Sequence, residues 1–134
     1  MSWNDAVAFC NWAELRLPFE KEREYACRAG SQTKYWFGDD AGQLADYAWY
    51  DANSGGSTKP VAQKPANPWG LFDMHGNVWE WCADEAQAGS AGRVIRGGSW
   101  YAPAWRCRSS SRSRWPAVDR GVVLGFRPAS SSLP

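Results

Sequence analysis

The stretch Asn67-Pro-Trp-Gly-Leu-Phe-Asp-Met-His-Gly-Asn-Val-Trp-Glu-Trp-Cys82 decides the fold of this 134-residue chain, together with Arg96-Gly-Gly-Ser-Trp100, Cys107-Arg-Ser109 and Gly125-Phe-Arg127. These landmarks define the scaffold, and the residues between the last two decide what chemistry it carries. Ten Trp, five Tyr and five Phe supply much of the buried area, while 13 Gly and 8 Pro imply many turns and short elements. The length suits one loop-rich domain with an aromatic core.

Working outward, the charge is uneven. Residues 1–92 hold seven Lys/Arg against thirteen Asp/Glu, whereas 93–134 hold eight Arg and only Asp119. A polyanion partner would use such an excess. The preferred reading is internal: Arg96, Arg108, Arg112 and Arg127 sit inside the motifs, where guanidinium forks fasten carbonyls and the acidic half of the fold, which speaks against nucleic acid. Cys10, Cys27, Cys82 and Cys107 lie far apart with His75 as the one histidine, a pattern that disfavours zinc and reads as buried thiols or one disulfide. No run approaches the ~18–20 apolar residues of a membrane span. Met1-Ser-Trp-Asn-Asp5 lacks the regions of a signal peptide, so a soluble, cytoplasmic chain is expected as written, with no membrane partner.

Ser2 and Asp5 form a capping box that predicts a helix from about Trp3 to Leu15, with Val7, Phe9, Cys10 and Trp12 around its apolar face. Trp3-Asn-Asp5 imitates a calcium-binding lectin triplet but reads better as that helix start. Pro18, the following acids and Gly30 bound a second helix. Residues 35–38 and 47–50 should be short buried pieces, 53–57 an exposed loop, and 59–62 extended. Val94–Arg96 and Val122–Leu124 have strand character, with Gly97-Gly98 as a bulge or close approach. The expected division is a domain over 1–128 and a flexible tail over 129–134.

At these residues the chain resembles the formylglycine-generating-enzyme, or sulfatase-modifying-factor, family. The segments that carry the resemblance are Ser2–Trp12, Arg16-Leu-Pro18, Glu24–Gly30, Asn67–Gly70, Gly76–Trp81, Arg96–Trp100 and Gly125–Arg127. The resemblance implies an α+β class and a C-type-lectin fold, with two helices, short antiparallel strands and many loops. Phe19 and Arg23 stand where the family has Thr and Trp, which weakens the second helix's N-cap and alters one core contact. The family's additional amino-terminal strands are not in this sequence, which implies either a minimal form of the domain or a fragment, and a strand edge left open would be expected to allow self-association.

Family enzymes use a copper-bound cysteine pair placed after the G-G-S-[WY] motif, because thiolates are soft ligands for Cu(I). Here the segment Tyr101–Cys107 contains a single thiol, Cys107, which matches a structural cysteine. An iron-dependent branch needs three histidines, against His75 alone. The expectation is therefore that the chain is not an enzyme and requires no cofactor. His75 is expected to be packed or hydrogen-bonded. Cys27 and Cys107 match a bridged family pair and should be close or disulfide-linked, whereas Cys10 lacks its partner because Pro128 stands in that place. A calcium ion is implied at Asp73, Gly76, Val78 and Glu80.

The scaffold's other use resembles the variable proteins of diversity-generating retroelements, whose C-terminal segment runs from R-G-G-S-W through C-R-S to G-F-R. That resemblance implies a ligand-binding protein without catalysis, directed at an unknown protein or surface ligand. Its variable face would hold Tyr101, Ala102, Ala104, Trp105, Ser111, Ser113, Trp115, Ala117, Val118, Gly121, Val122 and Val123. Aromatic anchors and small polar residues suit an adaptable paratope. Tyr101, Trp105, Trp115 and Val122 should then be exposed, with Trp79, Trp81, Trp100 and Phe126 beneath them. The alternative is a divergent enzyme of the family or an accessory subunit.

Overall fold

The computed structural model describes residues 1–131. Helix α1 spans Trp3–Trp12, and its capping box forms as the sequence predicts: Ser2 Oγ accepts from Asp5 N–H at 3.1 Å while the Asp5 carboxylate accepts from Ser2 N–H at 2.8 Å. The helix stops short of Leu15 because Glu14 adopts left-handed backbone, φ 58°. Trp3 Nε1 donates to Cys82 O at 2.9 Å, so the triplet resembling a lectin ligand set anchors the helix to the sheet.

Helix α2, Glu20–Arg28, begins on Phe19, whose side chain offers no cap. Two carboxylates replace it. Glu22 accepts from Phe19 N–H at 2.8 Å, and Asp84, from a distant strand, accepts from Glu20 N–H at 2.7 Å. Both also place negative charge at the positive helix end. A 3-10 turn, Ala41–Gln43, leads into the short α3, Leu44–Tyr47.

Strands β1 (Trp79–Glu85), β2 (Gly92–Arg96), β3 (Arg112–Pro116) and β4 (Leu124–Phe126) form one sheet in the order β3-β2-β1-β4. β1 and β2 pair antiparallel, as do β2 and β3, but β4 runs parallel to β1, with Trp79 opposite Leu124. The expectation of antiparallel strands alone is thus corrected. The chain leaves β3 at one edge, meets the start of α1, where Trp3 N–H donates to Ala117 O at 3.1 Å, and enters β4 at the other edge. Such a crossover is what parallel pairing demands. Val122 and Val123 precede the strand rather than forming it.

Strand alternation separates two faces. One carries Trp79, Trp81, Ile95 and Leu124 into a core with Ala6, Cys10 and Leu17, joined by half-buried Trp115, Val123 and Phe126. The other meets α2 through charge: Arg96 binds Glu20 at 3.1 Å and Glu24 at 2.9 Å, Arg112 binds Glu20 at 2.8 Å, and Arg23 binds Glu80 at 2.9 Å. The arginine-rich C-terminal segment therefore fastens the acidic N-terminal half. A second core, Tyr35, Leu44, Ala48, Ala102 and Cys107, lies under residues 31–66. There the expected exposed loop is corrected at Ser54, which is buried and donates to Trp100 O at 2.8 Å.

The tail expected from 129 is tied at its start, since Ala129 exchanges backbone hydrogen bonds with Arg16 at 2.9 and 2.7 Å and Arg16 Nε donates to Ser131 Oγ at 2.7 Å. Residues 132–134 lie outside the described residues.

The carboxylates that cap and clamp α2 make acid the weak side of this protein. Burial pushes the Glu20 carboxyl up, but Arg112 and Arg96 together bring it below its ordinary value. Arg16 and the Phe19 N–H hold Glu22 at about 2 against an ordinary 4.5. A depressed folded pKa contributes stability above the unfolded value and loses it as pH falls through the folded one. Melting temperature should therefore fall between about pH 5 and pH 2, and a Glu20→Gln variant followed by circular dichroism should show a shallower fall.

Candidate functional site

The segment after Trp100 folds into a 3-10 turn, Ala104–Cys107, whose last residue is pinned. Cys107 is buried, and its carbonyl accepts a hydrogen bond from His75 Nδ1 at 2.6 Å. The other ring nitrogen, Nε2, accepts from Trp36 N–H at 3.2 Å, which sets the Nδ1–H tautomer. Both nitrogens also lie near Cys27 Sγ, at 3.9 and 3.8 Å. The expected packed, hydrogen-bonding role of His75 is thus what the structure shows. Cys27 and Cys107 do converge on one place, but with the imidazole as their common contact, and all four cysteines are free. The disulfide allowed by the sequence is absent.

Gly97 and Gly98 explain how this turn docks. Both have positive φ, 104° and 75°, and a Cβ on them would lie 2.5 Å from Arg23 Nη2 and 2.5 Å from Cys107 Sγ respectively. The glycine pair is the close approach expected from the sequence. Burial, reinforced by the Asp51 charge, raises the Cys107 thiol to about 12, and burial raises Cys82 to about 12 as well. With every thiol buried, an aromatic disulfide reagent at neutral pH should modify none of the four in the folded protein and all four in denaturant. Rapid labelling of Cys107 without denaturant would show that the turn opens.

Around the turn lies a cleft of about 260 Å³, lined by Trp79, Ser99, Tyr101, Arg106, Trp115 and Val123 among others. The expected face is brought together in part. Tyr101 (72% exposed), Trp105 (58%), Val118 (72%) and Val122 (78%) project into solvent. Trp100 ties two of them, with its ring 5.6 Å from that of Tyr101 and its Nε1 donating to Val122 O at 3.1 Å. Ser111, Ser113, Trp115, Ala117, Gly121 and Val123 are half-buried. Ala102 is buried and Ala104 packs beside it, both turned into the second core, so Ala102 drops out of the face. Trp115 is held between the sheet core and Gly121, so it forms a wall of the cleft rather than a projecting anchor. Below the face, Trp79 and Trp81 are buried as expected, while Trp100 and Phe126 are half-buried. Arg106, absent from the expected face, stands at the cleft with its guanidinium carbon 5.0 Å from the Trp105 ring centroid. Its place in a turn between two motifs was a signal the sequence did contain.

Asp73, Gly76, Val78 and Glu80 line a separate cleft of about 370 Å³. Glu80 stands in an ion-pair network. Glu80 Oε1 is taken by Arg23 at 2.9 Å and Oε2 by Arg127 at 3.1 Å, so two cations already balance the carboxylates of Asp73 and Glu80. Asp73 Oδ2 accepts from Ala62 N–H at 2.8 Å, and its Oδ1 is buried without a hydrogen-bond partner. Of the two carboxylates Asp73 Oδ1 alone has no hydrogen-bond partner, and the main-chain carbonyls of Gly76 and Val78 are the other oxygens that the resemblance implies as calcium ligands. Among the described residues no group of three or more His, Cys, Asp or Glu is placed to hold a metal ion. Among them, too, no helix is long and apolar enough to cross a membrane.

With this geometry in place, comparisons with known proteins fix the family. Residues 1–132 match the sulfatase-modifying factor enzyme 1-like domain. The formylglycine-generating enzyme of Mus musculus is 35% identical, over 100% of this chain and 44% of that protein. The inactive C-alpha-formylglycine-generating enzyme 2 of the same organism is 37% identical, over 98% of this chain and 48% of that protein. This chain spans about half the length of these curated relatives. Among solved structures, Treponema denticola variable protein 1 superposes with a TM-score of 0.81 at 37% identity, over 85% of this chain and 46% of that one. PvdO from Pseudomonas aeruginosa gives 0.87 at 32%, over 96% and 59%.

The expectation that the chain is not an enzyme is overturned by these relatives, since proteins named as formylglycine-generating enzymes match it across its whole length. Counting thiols and histidines tested for two known catalytic sets and did not exclude catalysis as a class. The matched domain and the architecture of three helices and a curled mixed sheet agree: this chain is an α+β protein of C-type-lectin fold and belongs to the sulfatase-modifying factor enzyme 1-like family.

Proposed function

We propose that this chain binds a ligand through the face formed by residues 101–123, as a variable protein of the diversity-generating retroelement type. The observation that carries the reading is the exposure of Tyr101, Trp105, Val118 and Val122 within the one segment 101–123, with Tyr101 lining the cleft and Trp105 on a turn whose backbone is pinned from below. Large apolar side chains gathered on a rigid support supply contact area at little entropic cost. The likeness to Treponema denticola variable protein 1 supports it.

Sequencing the segment encoding 96–127 across isolates tests the reading without knowledge of the ligand. Substitutions should concentrate at Tyr101, Trp105, Ser111, Ser113, Val118 and Val122, while Gly97, Gly98, Cys107 and Arg112 stay fixed, because these four hold the turn and the ion-pair network. An even spread of substitutions over exposed positions of the whole chain would sink it.

A second reading, catalysis of the formylglycine-generating type or support of a partner's site, is favoured by the curated relatives. Conversion of a peptide cysteine to an aldehyde, followed by mass spectrometry, would support it.

A further inference from the structure

We propose that the cleft beside Tyr101 recognises a protein segment that presents a single carboxylate next to an apolar side chain, with Arg106 as the residue that selects the acid. The inference rests on the ligand-binding reading of this face and adds the chemical class of what is bound.

Among the arginines of residues 93–127, Arg96, Arg112, Arg120 and Arg127 are each bound to carboxylates of the protein. Arg106 makes no ion pair among the described residues, is exposed, and is the one charged side chain lining the cleft. The rest of the lining is aromatic or apolar apart from Ser99, with Trp79, Tyr101 and Trp115 as its large members. A ligand that fills this space must bring one negative charge and apolar surface. A polyanion such as nucleic acid would need a row of uncommitted cations, and four of the eight arginines after residue 92 are already paired with carboxylates.

Geometry makes Arg106 a prepared donor rather than a loose surface cation. Its backbone N–H donates to Pro103 O at 3.0 Å, and the next residue, Cys107, is buried and held by His75 at 2.6 Å. Its guanidinium carbon lies 5.0 Å from the Trp105 ring centroid, within cation–π range. The planar guanidinium carries N–H donors that match a carboxylate through two parallel bonds. An arginine already held beside a ring loses less rotamer freedom on binding than a free one.

The test is selection of a displayed library of random short peptides on the protein, followed by affinity measurement of the recovered sequences. Binders should carry Asp, Glu or a free C-terminus beside an apolar residue. Affinity should fall about tenfold, or ~1.4 kcal/mol, on Arg106→Gln or on replacing the peptide's acid by its amide, with only partial recovery in Arg106→Lys, which keeps the charge and loses the fork. Unchanged melting temperatures of the Arg106 variants exclude a folding effect. Binders that lack an acid, or that ignore Arg106→Gln while losing affinity to a Tyr101→Ser/Trp105→Ser variant, would overturn the acid assignment and leave the binding face standing. Binders indifferent to both sets would overturn the face as well. Equal or tighter Arg106-dependent binding of a fluorescein-labelled single-stranded oligonucleotide would assign the site to nucleic acid instead.

Discussion

Glu80→Ala is expected to destabilise the protein by about 3–5 kcal/mol, because it leaves a buried guanidinium without its counter-charge. Arg23 is 2% exposed in its side chain and Glu80 9%, and Arg127 shares the same carboxylate at 3.1 Å. The residual partner of Arg23 would be Met74 O at 2.9 Å, a carbonyl that satisfies one N–H and neutralises nothing. Chemical denaturation read by tryptophan fluorescence measures the loss. A change under about 1 kcal/mol would mean that water reaches Arg23 once the carboxylate is gone, as at exposed ion pairs. Replacing Arg23 and Glu80 together by apolar residues of similar volume should recover much of the loss, since the cost comes from the unpaired charge more than from the absent bond.

Trp81→Ala is expected to cost about 3–5 kcal/mol by a different route, a cavity in the sheet core. Trp81 is fully buried at the centre of β1, flanked by Ile95 on one neighbouring strand and Phe126 on the other. It packs in the cluster that seats Ala6, Cys10 and Leu17, and its Nε1 donates to Met1 O at 3.4 Å. The truncation therefore loosens both the sheet and the docking of α1. The same measurement on Trp105→Ala supplies the contrast: an exposed ring that supports no core should change stability by no more than about 0.5 kcal/mol. Comparable losses at the two positions would mean that Trp105 is part of the framework, and the binding face would lose one of its anchors.

The capping box at Ser2 and Asp5, the tight glycines at 97 and 98, the packed role of His75 and the aromatic core were legible in the sequence because each is a local demand. A hydroxyl and a carboxylate at the right spacing satisfy each other, and a crowded backbone position admits nothing but glycine. The family was legible for the same reason, through short segments whose order and spacing do not depend on the rest of the chain. Tertiary structure decided what depends on partners distant in sequence. Asp84 caps α2 from another strand where Phe19 offers nothing. β4 runs parallel to β1 because the chain is carried from β3 at one sheet edge over to the other before it pairs. Ala102 and Trp115 turn inward because a second core and Gly121 close over them. Glu80, whose position resembles that of a calcium ligand, is bound by two guanidiniums from opposite ends of the chain. The sequence placed Arg106 in a turn between two motifs, but its freedom from an ion pair is seen only in the folded protein, where four of the eight arginines after residue 92 bind carboxylates, because whether a charge is free is a property of its neighbours in space.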